Sequence, residues 1–385
     1  MKRVLIVTTV SGFVPQFEMN NVRILQKMGY EVHYASNYHT PSYGTDNSRL
    51  DGTGIIRHQI DFVRSPFAIR DNIKVYKQLK ELMTEIPFQL VHCHTPMGGA
   101  MARIAARATG TGPVIYTVHG FHFYKGAPWI NWMVYYPAEK YLSKFTDVLI
   151  TINKEDYGRA SGFHAKTVQY IPGVGIDLDR ISFLDIDKSQ KKRELGIQSD
   201  TRIILAVGEL IKRKNYATAI TAFANADIKN SILLICGHGV LEDELKAVTR
   251  QLKVQDRVMF LGYRNDIFEI MKISDIFFFP SYQEGLSAAL MEAMAAGLPV
   301  VCSRIRGNKD LIVEEQGGFL ALPNDTDGFS KALKQLIDQS GLGESFGSFN
   351  QNEVKKYAKA RVEEKMLGIY RAVLDAKNND EKTDY

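Results

Sequence analysis

The stretch IFFFPSYQEGLSAALMEAMAAGLPVV (276–301) contains two glutamates, Glu284 and Glu292, that are eight positions apart. An apolar run typical of a strand comes first, and the residues around the glutamates predict a helix. Eight residues correspond to a little over two helical turns, so a helix would place both carboxylates near one face. Two carboxylates on one face can accept hydrogen bonds from the hydroxyl groups of a ligand.

The start of this predicted helix has the features of an anion-binding site. Gly285 allows a ligand to approach the backbone closely, and Leu286, Ser287 and Ala288 form a first turn with free N–H groups. Such N–H groups favour phosphate. Phosphate combined with hydroxyl groups indicates a nucleotide sugar. The alternative is an ordinary amphipathic helix with one capping and one solvated glutamate.

Short β-branched runs alternate with amphipathic segments along the 385 residues. This order predicts an α/β fold with two Rossmann-like, doubly wound domains that face an interdomain cleft, with ligands at the carboxyl ends of the strands. The predicted helices include 72–84, 98–108 and 132–144. The predicted strands lie near 3–9, 31–35, 55–59, 89–93, 113–118, 147–152, 167–171, 202–207, 231–236, 257–261, 275–280 and 299–302.

The predicted domain boundaries follow from this pattern. Residues 1–175 form an N-terminal domain, and residues 196–351 form a C-terminal domain. Residues 176–195 are charged and follow a Pro/Gly-rich turn, which is typical of a linker. A charged amphipathic helix at about 352–377 follows the last strand, and its Leu/Ile/Tyr stripe is expected to pack back on the first domain.

Composition and charge limit the class of protein. A hydrophobic fraction of 45% is ordinary for a globular protein, and no apolar run approaches the roughly 18 residues that span a bilayer. Three cysteines without paired spacing indicate a reducing cytosol. Residues 1–175 contain 19 Lys and Arg against 12 Asp and Glu, whereas the remainder contains 29 against 31. The basic half favours a membrane surface or a diphosphate-bearing acceptor, and nucleic acid ranks last because its motifs are missing.

Candidate donor-binding residues lie in the segment AVGELIKRKNY (206–216), which follows a strand and opens a helix. The turn begins at Gly208, and Lys212, Arg213 and Lys214 supply three cations that could neutralise a diphosphate. Lys214 is the preferred binder. The alternative for any one of these cations is a solvated basic turn.

Two further turns are candidates for contacts to the nucleotide. The glycine-rich segment CGHGVLEDEL (236–245) contains His238 and Gly239, although a GxG pattern is often only a tight turn. After the next predicted strand, Tyr263 or Arg264 is expected to border a nucleotide base.

In the first half, YTVHGFHFYKGAPWINW (116–132) places His119 directly after an apolar strand, at the expected cleft. His119 is a candidate catalytic residue, with a purely structural histidine as the alternative. The neighbouring aromatic and basic residues form a patch suited to a lipid or acceptor, or else a well-packed helix start. The residues of this patch are Phe121, His122, Phe123, Tyr124, Lys125, Trp129 and Trp132.

Metal and dinucleotide signatures are weak in this sequence. The D-x-D pairs Asp177/Asp179 and Asp185/Asp187 lie in the predicted linker rather than at a strand end, so no metal site is predicted. No Ser-His-Asp constellation, Walker loop or H-E-x-x-H is present. The loop after the first strand has only Gly12, which disfavours a dinucleotide-binding fingerprint.

Together these segments resemble the retaining family 4 glycosyltransferases of the GT-B fold. The specific signal is FPSYQEGLSAALMEAMAAGLPVV (279–301), which is similar to the family's E-x7-E signature, and the resemblance covers essentially the whole chain. Within the family, further segments resemble the bacterial exopolysaccharide and capsule branch, the EpsD-type enzymes. These segments are 92–107, 116–129, 149–157, 170–177 and 303–312.

The resemblance implies a role for each donor-side residue. Glu284 would contact the hydroxyls of the donor sugar, and Glu292 would contact the ribose. Lys214 would neutralise the diphosphate, and His119 would hydrogen-bond the transferred sugar. The backbone amides that would hold the diphosphate belong to Gly285, Leu286 and Ser287.

The resemblance also implies a function. A hexose or N-acetylhexosamine would pass from a UDP-sugar, with retention, to a polyprenyl-diphosphate-linked saccharide during exopolysaccharide or capsule biosynthesis. The protein would be cytoplasmic and peripherally bound to the inner membrane. The expected partners are the UDP-sugar, the lipid-linked acceptor, through Gly12 and the aromatic patch, and the membrane surface. No cofactor, metal or nucleic acid is expected.

Three positions depart from the family pattern. Many members have an arginine where this chain has Glu209, and Lys212 or Arg213 is expected to replace it. The glycine that follows the family's lysine is Asn215 here. A Gly-Gly loop after the first strand is reduced to Gly12.

Three other functions fit parts of this sequence. A nucleotide-sugar 2-epimerase would share the two-domain cleft, but the basic, aromatic N-terminal half favours a bulky acceptor. An NAD-dependent dehydrogenase is disfavoured because the GxGxxG fingerprint is missing. A non-catalytic, membrane-associated sugar-binding subunit is disfavoured by the intact glutamate pair.

Overall fold

The computed structural model describes residues 2–43 and 46–383. They form two compact units, each with its own parallel sheet. Unit 1 spans Met1–Val174 and Ala360–Tyr385, and unit 2 spans Gly175–Lys359.

In the described part of unit 1, seven parallel strands form a sheet of order β3-β2-β1-β4-β5-β6-β7. The elements of this unit before its terminal helix are, in chain order, β1 (Lys2–Val10), α1 (Met19–Lys27), β2 (Tyr30–Asn37), β3 (Ile56–Gln59), α2 (Ile69–Glu85), β4 (Leu90–His94), α3 (Pro96–Thr109), β5 (Val114–Val118), α4 (Trp129–Leu142), β6 (Val148–Thr151), α5 (Lys154–Ala160) and β7 (Thr167–Tyr170).

Unit 2 has a second parallel sheet, of order β10-β9-β8-β11-β12-β13 in the described residues. Its elements are, in chain order, α6 (Leu178–Ser182), α7 (Lys188–Glu194), β8 (Arg202–Val207), α8 (Tyr216–Ala226), β9 (Ser231–Cys236), α9 (Glu242–Gln251), β10 (Val258–Gly262), α10 (Ile267–Ile273), β11 (Ile276–Phe279), α11 (Ala288–Ala295), β12 (Val300–Ser303), α12 (Asn308–Leu311), β13 (Gly318–Ala321), α13 (Thr326–Asp338) and α14 (Leu342–Glu353).

Both sheets are buried on two faces, as their uninterrupted apolar strands require. In β1, Leu5 packs into one core while the adjacent Ile6 packs into a core on the opposite face. In β8, Leu205 and the adjacent Ile204 likewise pack into cores on opposite faces of the sheet. Because successive side chains of a strand point to opposite faces, each sheet is covered by helices on both sides.

The order of the strands reverses once in each sheet. In unit 1 the reversal lies between β1 and β4, and in unit 2 it lies between β8 and β11. Open α/β sheets bind ligands outside the carboxyl ends of the strands at such a point. The loops that follow β8 and β11 are the predicted Lys214 and Glu284 segments, so the topology places both at the ligand-binding position of unit 2.

The α/β fold class with two doubly wound sheets is therefore confirmed. The predicted helices 72–84, 98–108 and 132–144 correspond to α2, α3 and α4. The sequence pattern did not predict β13, which has only four residues and begins at a glycine. Short strands of this kind give little periodic signal.

The segment predicted as a linker, 176–195, instead folds as part of unit 2. It contains α6 and α7, and Ile176 and Ile181 lie in the unit 2 core. Asp177 and Asp187 cap these two helices, since their side chains accept hydrogen bonds from backbone N–H groups. One acid of each D-x-D pair thus has a structural role as a helix cap.

The segment predicted as one helix at about 352–377 is divided in the structure. Helix α14 ends at Glu353, a short 3-10 turn follows over Val354–Tyr357, and α15 spans Lys359–Thr383. From Ala360 onward the chain belongs to unit 1. Helix α15 buries a stripe with a spacing of four residues, made of Val362, Met366, Tyr370 and Leu374.

Tyr370 provides a buried polar contact that holds α15 on the rest of unit 1. Its hydroxyl lies 2.8 Å from Nδ1 of His92 on β4, and Nε2 of His92 lies 2.8 Å from Oγ1 of Thr117 on β5. Burial lowers the pKa of His92 to about 3, so the ring is neutral. One ring nitrogen then donates a hydrogen bond to one of these hydroxyls, and the other nitrogen accepts a hydrogen bond from the other hydroxyl.

None of the helices in the described residues combines the length and the apolar character that a membrane-spanning segment needs.

Replacing Tyr370 by Phe is expected to lower the thermal unfolding midpoint. The change keeps the ring but leaves Nδ1 of buried His92 without a partner, which costs about 1–3 kcal/mol. Tyr141→Phe is the matched control, because the Tyr141 side chain is exposed. Equal midpoints for the two variants would contradict the anchoring role of Tyr370.

Candidate active site

The carboxylate of Glu284 binds two cations in the loop between β11 and α11. Nζ of Lys214 and a guanidinium nitrogen of Arg213 each lie 2.8 Å from the same oxygen, Oε1. Both cations come from the loop after β8. The three side chains therefore join the two loops that flank the point where the strand order reverses.

The pKa values of this cluster reflect its burial. Burial disfavours the Glu284 carboxylate, but the Lys214 and Arg213 cations outweigh it, so the pKa of Glu284 is lowered. For Lys214 burial dominates, and its pKa is lowered although Glu284 favours the ammonium form. Lys214 also lies 4.6 Å from the centre of the Phe279 ring. A cation held in these surroundings interacts strongly with an added anionic group.

The loop after β8 depends on two residues with positive φ. Gly208 has φ +147°, and a Cβ there would lie 3.0 Å from Cε of Lys214. Asn215 has φ +59° and donates two side-chain hydrogen bonds, to the carbonyl oxygens of Pro280 and Pro323. The family glycine that Asn215 replaces thus occupies a left-handed position, which Asn tolerates better than most residues.

The N-terminus of α11 offers unpaired backbone donors. Ser287 caps the helix by accepting a hydrogen bond from the Leu290 amide at 3.4 Å. Within residues 2–43 and 46–383, the amides of Gly285, Leu286 and Ser287 donate no hydrogen bond. These three N–H groups and the partial positive charge of the helix end can bind an anion.

Glu292 lies about one turn into α11, which begins at Ala288, whereas Glu284 precedes the helix in the loop after β11. The prediction that one helix carries both carboxylates is therefore wrong, because the helix begins only after Glu284. Burial raises the pKa of Glu292, although the nearby Arg180 opposes the effect. Its carboxylate makes no hydrogen bond within the part of the chain that is described. A half-buried acceptor of this kind is available for the hydroxyl groups of a ligand.

The glycines of the 236–245 turn have a packing role. A Cβ on Gly237 would lie 1.9 Å from the Gly208 carbonyl oxygen, and one on Gly239 would lie 2.4 Å from the Leu210 carbonyl oxygen. Both positions need glycine because the turn lies against the backbone of the loop after β8. His238 between them is largely exposed.

The remaining residues predicted to contact the donor differ in exposure and in the bonds that their side chains already make. Tyr263 is 75% exposed, so its ring is free to stack on a base. Arg264 makes two bonds to Asp266, at 2.7 and 2.6 Å, which occupies its guanidinium. Lys212 is exposed and lies outside the Glu284 ion pairs, whereas Arg213 takes part in them.

In unit 1, His119 belongs to a buried cluster with Glu18 and His94. Nε2 of His119 lies 3.1 Å from Nδ1 of His94, and Oε1 of Glu18 lies 3.4 and 3.6 Å from these two nitrogens. Burial lowers the pKa of His119 to about 4 and the pKa of His94 well below its ordinary value. Burial likewise raises the pKa of Glu18 to about 8.

The backbone around this cluster is irregular. Glu18 ends a π-helical turn, Val14–Glu18, and His94 is followed by Thr95 with φ +62°. A β-branched residue with positive φ is strained, and both features are frequent at functional sites. The Thr95 hydroxyl stabilises this conformation, because it accepts a hydrogen bond from the Thr9 amide at 3.0 Å.

The prediction of an exposed aromatic patch is wrong for two of its members. Phe121 and Phe123 are buried in the unit 1 core, and their stacked rings have centroids 4.5 Å apart. The segment after β5 folds back against the sheet, which buries both rings. Trp129 is 69% exposed, together with Ile130 and Met133 in the first turns of α4.

The other predicted acceptor residues lie in different surroundings. Lys125 is exposed, Tyr124 is half-buried, and the ring of His122 packs on Tyr135 at 4.8 Å. The amide of Gly12 donates to the Pro41 carbonyl oxygen at 2.7 Å, so it is already paired.

Two family profiles match separate parts of the chain. Residues 3–153 match the family "Glycosyl transferase 4-like", and residues 187–358 match "Glycosyl transferases group 1". The chain is 35% identical over 382 residues to the glycosyltransferase EpsD of Bacillus subtilis, with 97% of each chain covered. The chain belongs to the family 4 glycosyltransferases.

Further similarities agree with this family 4 assignment. The chain is 33% identical over 285 residues to the Escherichia coli UDP-Gal:alpha-D-GlcNAc-diphosphoundecaprenol alpha-1,3-galactosyltransferase, covering 70% of the chain and 73% of the relative. The structure of Anabaena HepE in complex with UDP aligns with a TM-score of 0.78 at 18% identity, covering 97% of this chain and all of HepE. The protein is a GT-B glycosyltransferase of bacterial polysaccharide biosynthesis.

Sequence reasoning did not predict two buried arginines of this glycosyltransferase. Arg306 donates from Nε to the Glu284 carbonyl oxygen at 3.2 Å and so fixes the loop that presents the Glu284 side chain. Arg103 on α3 pairs with Glu139 at 2.8 Å inside unit 1. For Arg103, the available signal was an arginine on the apolar face of an Ala-rich helix, which needs a buried partner.

Substitutions of Asn215 test whether the loop of this glycosyltransferase needs a left-handed residue. Asn215→Ala and Asn215→Gly both lose the two side-chain hydrogen bonds, but only alanine is strained at φ +59°, by about 1–2 kcal/mol. The glycine variant is therefore expected to have the higher thermal unfolding midpoint.

The matched control is Lys334, an exposed position within α13. There the order should reverse, because glycine within a helix is about 1 kcal/mol less favourable than alanine. An Asn215→Ala variant as stable as Asn215→Gly would contradict the requirement for a left-handed residue.

Proposed function

We propose that this glycosyltransferase transfers a hexose or N-acetylhexosamine from a UDP-sugar, with retention of the anomeric configuration, to a lipid-diphosphate-linked saccharide. The observation that supports it most is the shared Glu284 carboxylate. It holds Lys214 and Arg213 beside a helix N-terminus with three unpaired amides. Cations and free N–H groups together suit a diphosphate, and acidic acceptors suit a sugar.

In this proposal the donor diphosphate binds at the N-terminus of α11. Lys214 bonds to the diphosphate and supports the negative charge that grows as the sugar leaves. Both cations bond to Oε1 of Glu284, which leaves Oε2 to accept a hydroxyl of the donor sugar. Arg213, rather than the exposed Lys212, takes the place of the family arginine at Glu209.

The nucleoside is bound by the other predicted residues of unit 2. Glu292 accepts hydrogen bonds from the ribose hydroxyls, because its half-buried carboxylate otherwise lacks a hydrogen-bond donor in the described chain. The exposed ring of Tyr263 stacks on the uracil. HepE, which shares the fold, has been solved in complex with UDP, and this is consistent with a uridine donor.

The proposed chemistry needs no pair of catalytic carboxylates. The bond between C1 of the sugar and the phosphate oxygen breaks, and the acceptor oxygen forms a bond to C1 on the same face. The acceptor hydroxyl gives its proton to the departing phosphate. His119 is neutral, since burial lowers its pKa to about 4, and it hydrogen-bonds the sugar in the same donor complex.

Unit 1 is proposed to bind the acceptor. A cavity of about 200 Å³ adjoins His119 and is lined by rings that include Phe13, Tyr43 and Tyr135. Such rings stack on the faces of sugars. The exposed Trp129 and the neighbouring Lys125 suit contact with a lipid surface. The names of the Escherichia coli relative and of a Campylobacter jejuni relative both specify diphosphoundecaprenol-linked substrates.

The test of the proposal is incubation with a panel of UDP- and GDP-sugars, with and without a polyprenyl-diphosphate-linked saccharide. Transfer of one sugar from a UDP donor, with the same anomeric configuration in the product by NMR, is expected only when the acceptor is present. Conversion of the donor without acceptor would instead identify a 2-epimerase. Binding without any conversion would identify a sugar-binding subunit.

Lys214→Ala and Glu284→Ala are each expected to lower the transfer rate at least about 100-fold. The first removes charge support from the leaving group, and the second removes the carboxylate that positions Lys214 and Arg213 and accepts the sugar hydroxyl. The thermal unfolding midpoints should show that both variants remain folded. Lys246→Ala is the matched control, because Lys246 forms a more exposed ion pair with Glu242 in the same unit. Activity at the wild-type level in both site variants would contradict the assignment.

EDTA is expected to leave the transfer rate nearly unchanged. The Lys214 and Arg213 cations and the helix N-terminus take the role that Mg²⁺ has in other sugar-nucleotide enzymes. One acid of each D-x-D pair, Asp177 and Asp187, is occupied as a helix cap. The measurement is the initial rate before and after chelation. A rate that falls to zero and returns with added Mg²⁺ would contradict this assignment of roles.

A further inference from the structure

Three potential metal-ligand atoms converge in unit 1. Nδ1 of His94, Nε2 of His119 and Oε1 of Glu18 are separated by 3.1, 3.4 and 3.6 Å. His94 and Glu18 are fully buried, and the His119 side chain is 21% exposed. The three residues come from separate elements: the π-helical turn before α1, the end of β4 and the residue after β5.

Hydrogen bonds alone do not satisfy this arrangement when Glu18 is a carboxylate, which is the form that binds a metal ion. Each imidazole nitrogen then either donates or accepts one hydrogen bond, so no placement of the ring protons makes all three contacts attractive. If His94 donates to His119, the single lone pair of that nitrogen is used and Glu18 has no bond to it. If both rings donate to Glu18, two N–H groups face each other at 3.1 Å.

A second His-His-Glu cluster in the same unit shows the contrasting case. Nδ1 of His33 lies 2.8 Å from His58, and its other nitrogen, Nε2, lies 2.9 Å from Glu31. Every contact there has its own nitrogen, so ordinary hydrogen bonds satisfy all of them. Among the described residues, this convergence of three potential ligand atoms is found only in the Glu18, His94 and His119 cluster.

We propose that Glu18, His94 and His119 form a binding site for a divalent transition-metal ion, with Zn²⁺ as the preferred ion. Zinc bonds of about 2.0–2.1 Å at tetrahedral angles place neighbouring ligand atoms about 3.3 Å apart. The observed separations of 3.1, 3.4 and 3.6 Å match one face of that tetrahedron. Two imidazoles and one carboxylate also form a donor set that favours zinc over Mg²⁺.

The cluster also has room for a fourth ligand and a route for the ion. A cavity of about 20 Å³ is lined by Glu18 and His119, which is enough for one water molecule. His119 lines this cavity and the larger aromatic cavity of about 200 Å³. Three protein ligands and one water form the open coordination that zinc adopts in proteins.

Zinc at this site would inhibit transfer. The bound ion ties Nε2 of His119 to Glu18 and His94 and places positive charge beside the ring that is proposed to contact the donor sugar, where the transition state is also positively charged. This consequence rests on the proposed function, whereas the binding of the ion does not. The prediction that EDTA leaves the rate nearly unchanged is compatible with it, because the ion is an inhibitor and not a cofactor.

The test is a Zn²⁺ titration of the full chain in competition with a chromogenic chelator. Wild-type protein should bind one ion per chain that Mg²⁺ does not displace, and Co²⁺ at the same site should give the visible absorption of tetrahedral coordination. Glu18→Gln should weaken Zn²⁺ binding at least about tenfold, since an amide is a poorer ligand. Glu31→Gln, in the contrasting His-His-Glu cluster, is the matched control and should bind as tightly as wild type.

His119→Gln provides a second variant if Glu18→Gln fails to fold, because His119 is partly exposed. Loss of the site in His119→Gln and retention in Glu31→Gln would support the proposal. It would be overturned by the lack of a one-to-one Zn²⁺ complex, or by a complex that persists in the Glu18 and His119 variants. These results do not depend on transfer activity, so they are separate from failure of the proposed function.

In an active preparation, Zn²⁺ is expected to inhibit wild-type and Glu31→Gln protein equally. Glu18→Gln should need at least about tenfold more Zn²⁺ for the same fractional inhibition. Zinc binding without inhibition would retain the site and overturn its effect on transfer.

Discussion

The ion pairs of Glu284 with Lys214 and Arg213 are the interaction on which the unit 2 site depends. They join the loop after β8 to the loop after β11, at the point where the strand order reverses. A buried carboxylate without these cations would be costly, and the cations without Glu284 would repel each other. The same charges that fix the two loops are therefore held ready for a diphosphate.

The backbone at this point also helps to position these charges. Gly208 leaves room for Lys214, Asn215 adopts a left-handed conformation, and Arg306 supports the Glu284 carbonyl group. Each feature positions one of the charged side chains or its loop. The polar cluster in unit 1 is different, because burial favours neutral His94, His119 and Glu18 there.

Much of the fold could be predicted from the sequence, because apolar strands separated by amphipathic helices have few alternatives. The Glu284 and Lys214 loops were also predictable, since both directly follow such strands. The burial of Phe121 was not, because local pattern does not show that the segment after β5 folds back on the sheet. Within 176–195, charged residues concealed the few apolar positions that pack on unit 2. The convergence of Glu18 with His119 depends on contacts distant in sequence.

The most direct test of the account compares the affinities of wild-type protein and Lys214→Ala for UDP and for uridine by calorimetry. If Lys214 binds the diphosphate, UDP affinity should fall about tenfold or more, as expected for a hydrogen bond to a charged group. Uridine affinity should stay unchanged, because uridine lacks phosphate. Equal losses for both ligands, or no loss for UDP, would contradict the account.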